Sequence, residues 1–218
     1  MSPARLADDV AAIWSELARP GNQKFTLVGH SLGVQVALET WRRHSELVEG
    51  LILICGSPGN LIRDFHEGPL LGYVVPMLDV VGRFTPQLLS SLWNKLPSRL
   101  LTKAAMLTRE VDPRLLRSQD LVAYFEGLRR VDFRLALRLL ESAGRHDAVP
   151  YLGEINVPTL VIAGQKDTFT PPYRSQLMGR LIRNSEFLMV KGGTHSLPLE
   201  QPDLVNLRVG RFLTDTIR

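Results

Sequence analysis

Cysteine is almost absent from the sequence: Cys55 is the only one in 218 residues. An intramolecular disulfide is therefore excluded, and so is any CxxC-type zinc or redox site. Blocks of one charge sign are also missing. Basic residues number 26 against 22 acidic ones, but no run of five or more Lys/Arg occurs, which argues against nucleic acid as a partner. Nor is there a long unbroken apolar run. The most apolar window, Leu70 to Leu92, is interrupted by Pro76, Asp79, Arg83 and Pro86, so it does not read as a membrane span. The opening stretch, MSPARLADDVAAIWSEL, carries acids among its apolar residues and lacks the h-region of a signal peptide. Internal repeats and low-complexity tracts are not found. These absences point to a soluble, cytoplasmic protein. Hydrophobic residues at 44% and charged residues at 22% fit a packed core rather than a disordered chain.

What is present is alternation. Pro3 to Ala18 reads as an amphipathic helix capped by Ser2, with Leu6, Val10, Ile13 and Leu17 on one stripe. Arg19 to Asn22 is a turn, Lys24 to Val28 a short strand, and Leu32 to His44 a second helix. Leu51 to Cys55 is an apolar run of strand length, closed by Gly56-Ser57-Pro58-Gly59. Strands at Pro158–Ala163 and Glu186–Val190, with helices at Tyr173–Leu181 and Asp203–Thr216, complete the pattern. Short apolar strands between helices imply an α/β fold, a mostly parallel sheet with helices on both faces. From Asn60 to Ile155 the alternation stops, and helical periodicity with frequent Pro and Gly breaks takes its place. The expected organisation is a core of residues 1–59 and 156–218 with a helical cap, residues 60–155, inserted into it.

The chemistry is carried by Gly29-His30-Ser31-Leu32-Gly33, a G-x-S-x-G between a strand and a helix. A nucleophile at the tip of a tight strand-to-helix turn needs a strained backbone, and small neighbours two residues away let strand and helix approach. The helix N-terminus then turns backbone N–H groups toward a developing oxyanion. The alternative is a loop serine that merely caps the helix.

A serine needs a base, and the base an orienting carboxylate. Of the five histidines, His30 sits inside the elbow, where its position turns it away from the task of Ser31. His44 ends a helix beside Arg42 and Arg43 and reads as a solvated cation, while His66 and His146 lie in polar surroundings in the insertion. His195 differs: Lys191-Gly-Gly-Thr-His195 follows an apolar strand directly, on the glycine-rich kind of loop where parallel sheets collect their chemistry. Asp167, in Gly164-Gln-Lys-Asp167, also lies just past a strand end. Alone it would read as an Asx turn or helix N-cap ahead of Pro171-Pro172. With Ser31 and His195 in the order Ser, Asp, His, the catalytic reading is favoured.

These segments resemble the α/β-hydrolase fold, through the Ser31 pentapeptide, through Gly164-Gln-Lys-Asp167 with Pro171 behind it, and through Gly193-Thr-His195 followed by Glu200-Gln-Pro-Asp203. The resemblance implies that Ser31 is the nucleophile, Asp167 the acid and His195 the base, with the Leu32 N–H as an oxyanion donor. It also implies that the four strands correspond to strands five to eight of the family, with the cap in its usual place after strand six. No cofactor and no metal is implied. The departure is at the start, where one helix alone precedes the elbow and the first 24 residues hold no His-Gly pair or glycine cluster. The resemblance therefore implies an N-terminally truncated sheet, without the family's second oxyanion donor. That loss is worth a factor of roughly 10² to 10³ in rate. It also leaves Phe25–Val28 as an apolar open edge, which favours self-association.

The substrate is expected to be a small, apolar, ester-like molecule. Leu70, Leu71, Tyr73, Val74, Val75, Met77, Leu78, Val80 and Val81 could roof a pocket or simply pack within the cap. Arg109, Arg114, Arg117, Arg129, Arg130, Arg134 and Arg138 are interleaved with Asp112, Asp120, Glu126 and Asp132, the pattern of a solvated face rather than an anion site. Trp41, Trp93 and Tyr124 read as core residues without a fixed place. Two other readings compete with ester hydrolysis. One is perhydrolysis, lactone opening or C–C bond hydrolysis on the same three residues; the other is a non-catalytic form that binds a ligand or partner.

Overall fold

The computed structural model describes residues 1–18, 23–60, 91, 95, 97–107, 111–116 and 118–217. Four strands, β1 (Phe25–His30), β2 (Val48–Ile54), β3 (Thr159–Gly164) and β4 (Ser185–Val190), form one sheet in the order β1-β2-β3-β4, every neighbouring pair parallel. The described helices are α1 (Pro3–Leu17), α2 (Leu32–Arg43), α3 (Ser98–Leu107), α4 (Ser118–Arg129), α5 (Phe133–Arg145), α6 (Pro172–Leu181), α7 (Leu197–Glu200) and α8 (Pro202–Thr216).

Burial follows position in the sheet. β3 is buried at every position and β2 at all but Glu49, as a parallel strand covered on both faces must be. The outer strands are mixed: Val28 and His30 are exposed on β1, Glu186 and Phe187 on β4. Side chains alternate along β2. Leu51 and Leu53 join Val34, Leu38, Val161 and Met178 beneath α2 and α6 on one face. Ile52 and Ile54 join Leu160, Ile162, Val205 and Phe212 beneath α8 on the other. Each such buried side chain contributes about 1.5–3 kcal/mol relative to exposure.

Two expectations about packing change. Ser2 does cap α1, accepting a hydrogen bond from the Arg5 N–H at 3.2 Å. The buried stripe, however, is Pro3, Ala7 and Ala11, flanked by Val10 and Trp14, whereas Ile13 and Leu17 are exposed. Alanine wins over the larger residues because it lets α1 approach α2 closely enough for Asp8 to pair with Arg43 and His44. Trp41 lies in the core as expected, but Tyr124 is exposed.

Between β2 and β3, α3 and α4 share a small core of Val111, Leu116 and Leu121 packed with Ala105, Met106 and Phe125. Arg114, Arg130 and Arg138 are exposed, as are Asp120, Glu126 and Asp132; Arg134 is half-buried, and Asp112 departs from the expected solvated face, being buried and paired with Arg114 at 2.6 Å. The apolar stretch from Leu70 to Val81 lies outside the described residues, as do His66, Trp93, Arg109 and Arg117. The two ends of the inserted segment meet on α2. The Ala148 N–H donates to the Pro58 carbonyl at 2.7 Å, and the buried Gln35 amide donates to the carbonyls of Gly59 (2.7 Å) and Ala143 (3.1 Å).

Candidate active site

The C-terminal ends of the strands bring the three singled-out side chains together. Ser31 stands between β1 and α2 with φ 57° and ψ −122°, a conformation that costs about 1–3 kcal/mol for a residue with a side chain. Its N–H donates to the Ile54 carbonyl at 3.1 Å, so the strand ladder carries on to the point where the chain reverses. The close approach is real at Gly29: a Cβ there would stand 2.4 Å from the Gly33 carbonyl oxygen. At Gly33 a Cβ would meet nothing within 4 Å among the described residues, so steric demand falls on one glycine of the pair. Although Ser31 occupies the N-cap position of α2, its side chain makes no capping hydrogen bond. Its Oγ faces the Nε2 of His195 instead, at 2.9 Å.

The other ring nitrogen of His195, Nδ1, stands 3.1 Å from each carboxylate oxygen of Asp167. A carboxylate only accepts, so Nδ1 carries the proton, and in the neutral ring Nε2 is left free to accept from the Ser31 hydroxyl. Asp167 is buried and already well supplied with donors. Oδ1 accepts from the N–H groups of Phe169 (3.0 Å) and Thr170 (2.8 Å), and Oδ2 accepts from the Thr170 hydroxyl (2.8 Å). The Asx turn and the contact with His195 are thus both present. Leu32 is the first residue of α2, a position whose backbone N–H has no acceptor within the helix.

The loops bearing acid and base are stitched to one another. Lys166 N–H donates to the Gly193 carbonyl at 2.8 Å, and a Cβ on Gly164 would collide with the Thr194 carbonyl oxygen at 2.5 Å. Beneath them lies Glu200, buried. Its carboxylate accepts from the Thr194 N–H (3.0 Å), the Thr194 hydroxyl (2.7 Å) and the Asp112 N–H (2.6 Å). It therefore links the loop of His195 to the inserted segment. Cys55, at the end of β2, is the other non-glycine residue described with positive φ, at 44°. Burial pushes its thiol above the ordinary range and leaves it unreactive.

Of the other described histidines, His30 is turned away from Ser31, and His44 and His146 differ from their expected settings. His30 is directed at His195 itself, its Nε2 donating to the His195 carbonyl at 2.9 Å. His44 is half-buried and paired with Asp8 at 2.9 Å rather than free in solvent. His146 is packed against Glu39 and Tyr151. Thr170, Phe169 and Glu200 also belong to the site's surroundings. A Thr three residues after an Asp and just before Pro is a turn signal that points to Thr170; no local pattern points to the partners of Glu200. Among the described residues no group of three or more His, Cys, Asp and Glu is placed to hold a metal ion, and no described helix is long and apolar enough to cross a membrane.

A strained serine at a strand–helix turn after β1, with an acid beyond β3 and a histidine beyond β4, on a parallel sheet with this order, defines a class. The family model described as the alpha/beta hydrolase fold matches residues 2–202, and the chain belongs to that family of enzymes. Among its relatives is the RutD protein of Agrobacterium fabrum, which carries a carbamate-hydrolase name. It is 30% identical over 209 residues, covering 95% of this chain and 73% of that protein. A pimeloyl-[acyl-carrier protein] methyl ester esterase of Neisseria meningitidis is 27% identical over 194 residues, or 86% of this chain and 68% of the relative. The solved structure of a thermophilic esterase from Thermogutta terrifontis shares the fold, with a TM-score of 0.71 at 22% identity, covering 99% of this chain and 73% of that one.

Proposed function

We propose that the chain is a serine hydrolase acting on small ester or carbamate carbonyls through Ser31, His195 and Asp167. The observation that carries this reading is the relay of contacts, Ser31 Oγ to His195 Nε2 at 2.9 Å and His195 Nδ1 to Asp167 at 3.1 Å. His195 takes the hydroxyl proton as Ser31 Oγ attacks the carbonyl carbon. The carbonyl π electrons move onto oxygen, and that oxyanion is met by the Leu32 N–H at the positive end of α2. Asp167 holds the imidazolium in place. His195 then gives its proton to the departing alkoxide, leaving an acyl- or carbamoyl-serine. A water molecule, deprotonated by the same imidazole, attacks that intermediate, and Ser31 leaves with its proton restored.

The ester- and carbamate-hydrolase names of the two sequence relatives support these two substrate classes, and the perhydrolytic, lactone-opening and C–C-cleaving reactions are the alternatives on the same three residues. In this reading residues 60–155 act as the cap over the site, and the Glu200 link from Thr194 to Asp112 supports it. A fluorophosphonate probe tests the proposal directly. It should label wild-type protein at Ser31 and leave Ser31→Ala unlabelled, and esters, carbamates, lactones and β-diketones assayed side by side should rank the first two highest. Absence of labelling would overturn the serine-hydrolase reading in favour of a ligand- or partner-binding protein.

A further inference from the structure

The mechanism above leaves His30 without a task, although it stands immediately before the nucleophile. Its ring Nε2 lies 2.9 Å from the His195 carbonyl oxygen, so that nitrogen carries a proton and donates it. The two imidazoles are also in contact, with centroids 5.1 Å apart and planes inclined by 39°. Phe169 stacks on the same His195 ring, 4.9 Å away and inclined by 27°. Both the backbone and the ring of His195 are therefore held by residues that do not move its proton.

We propose that His30 is a positioning residue, which with Phe169 fixes the imidazole of His195 between Ser31 and Asp167; the inference rests on the serine-hydrolase reading. The placement is economical in chain terms. His30 is the last residue of β1 and its main chain runs straight into Ser31, so one short segment sets both the nucleophile and the backbone of the base. The 2.9 Å contact from Nε2 to Oγ tolerates little drift, because a misplacement of about 1 Å at a reacting pair can cost on the order of 10²-fold in rate. The charge state suits the role. His30 keeps part of its surface open to solvent, but the groups packed about its ring strip water from it and hold it below its ordinary pKa, and the neighbouring His195 ring adds to this; the His195 carbonyl and Asp167 oppose it. At neutral pH His30 thus gives a hydrogen bond without placing a second cation beside the imidazolium formed in the reaction.

Glutamine at position 30 can still donate to the carbonyl; alanine and methionine cannot, and methionine keeps the bulk. The test combines steady-state ester hydrolysis with NMR of ¹⁵N-histidine-labelled protein, following the His195 Nδ1–H proton held by Asp167. His30→Ala and His30→Met are expected to lower kcat about tenfold with KM within about twofold, and to broaden the Nδ1–H resonance by exchange. His30→Gln should recover most of both signals, and Phe169→Leu should fall between. Methionine is measured beside alanine so that a folding failure of one leaves the other to decide. Wild-type kcat and an unchanged resonance in His30→Met would overturn the proposal, as would His30→Gln impaired as deeply as His30→Met. Labelling of wild-type Ser31 by a fluorophosphonate is run first. Its absence would remove the hydrolase reading, while the Nδ1–H resonance would still judge the part played by His30.

Discussion

Two groups among the described residues combine a carboxylate, a histidine and a hydroxyl, and only one sets the imidazole between the acid and the hydroxyl. At the strand ends, His195 uses both ring nitrogens, Nδ1 toward Asp167 and Nε2 toward Ser31. On the flank of α2, His146 puts a single nitrogen to two partners: Nε2 lies 3.3 Å from Glu39 and 3.4 Å from the Tyr151 hydroxyl. Its Nδ1 is buried with no partner among the described residues. Tyr151 donates to Glu39 directly, at 3.3 Å, so the imidazole does not stand between acid and hydroxyl. Arg42 also grips Glu39 with two hydrogen bonds, at 3.0 and 2.6 Å. Burial pushes the Tyr151 hydroxyl up, away from any nucleophilic range. The same three kinds of polar group make a line of contacts in one place and a closed knot in the other. What separates them is which nitrogen faces which partner.

The largest expected effect tests the relay. Ser31→Ala should lower ester or carbamate turnover by at least about 10³-fold, and Asp167→Asn should do nearly as much by presenting the wrong tautomer of His195. Tyr151→Phe should leave turnover within about threefold, since it removes a hydroxyl from the knot alone. Comparable losses from Tyr151→Phe and Ser31→Ala, in kcat/KM on folded protein, would break the distinction.

The next effect is on stability. Glu39→Leu leaves the buried polar atoms of His146 and Tyr151 without their acceptor, at a cost of about 2 kcal/mol, or several degrees in Tm for a chain of this size. Turnover per folded molecule should not change. A Tm equal to wild type in differential scanning calorimetry would mean that the knot is not structural.

The two clusters also differ in how far the sequence reveals them. Ser31, Asp167 and His195 each follow an apolar strand directly and stand beside glycines or prolines, so local pattern is enough to pick them out. Asp167 shows that two readings of one residue can both hold, since its carboxylate closes a turn and holds Nδ1 of His195. His30 bonds a residue 165 positions away and Gln35 one 108 away, separations at which no periodicity operates. The phase of α1 failed for a different reason. Hydrophobicity ranks Leu and Ile above Ala, but close helix packing prefers the smaller side chain. The four-stranded parallel sheet is legible because each inner strand carries an unbroken apolar run, Leu51–Ile54 in β2 and Leu160–Ala163 in β3. The start of β2 at Val48 was not, because Glu49 and Gly50 interrupt the run.

A smaller effect concerns the edge of the sheet. β1 pairs with β2 alone among the described strands, and Val28 is 58% exposed. An apolar edge strand invites pairing with another chain, so the 218-residue chain should self-associate and Val28→Lys should reduce that association. Light scattering across a concentration series checks it. A monomer at every concentration, identical in wild type and variant, would remove the expectation.

The smallest effect is the pH dependence of stability, and it separates the two histidine settings. His146 is held below its ordinary value of 6.5, first by burial, which outweighs the pull of Glu39 and Asp147; Arg42 pushes the same way as burial. The unfolded chain therefore binds a proton at a higher pH than the folded one does. Stability is then fully present above the ordinary value and is lost as pH falls from there toward the lower folded value. His30 is shifted in the same direction and adds to the slope. Glu39 is also held low, because the hydrogen bonds from Arg42 and the proximity of its charge outweigh the effect of burial; it stays ionised through this window and supplies no slope of its own. Tm should accordingly fall between about pH 7 and pH 5 in the wild type. In His146→Gln the fall should be shallower but not absent, because His30 still titrates. Thermal melts of the two proteins at half-unit pH steps measure this. Equal slopes would show that His146 does not enter the balance, and a wild-type Tm that rises on acidification would mean that Glu39 holds His146 in its charged form.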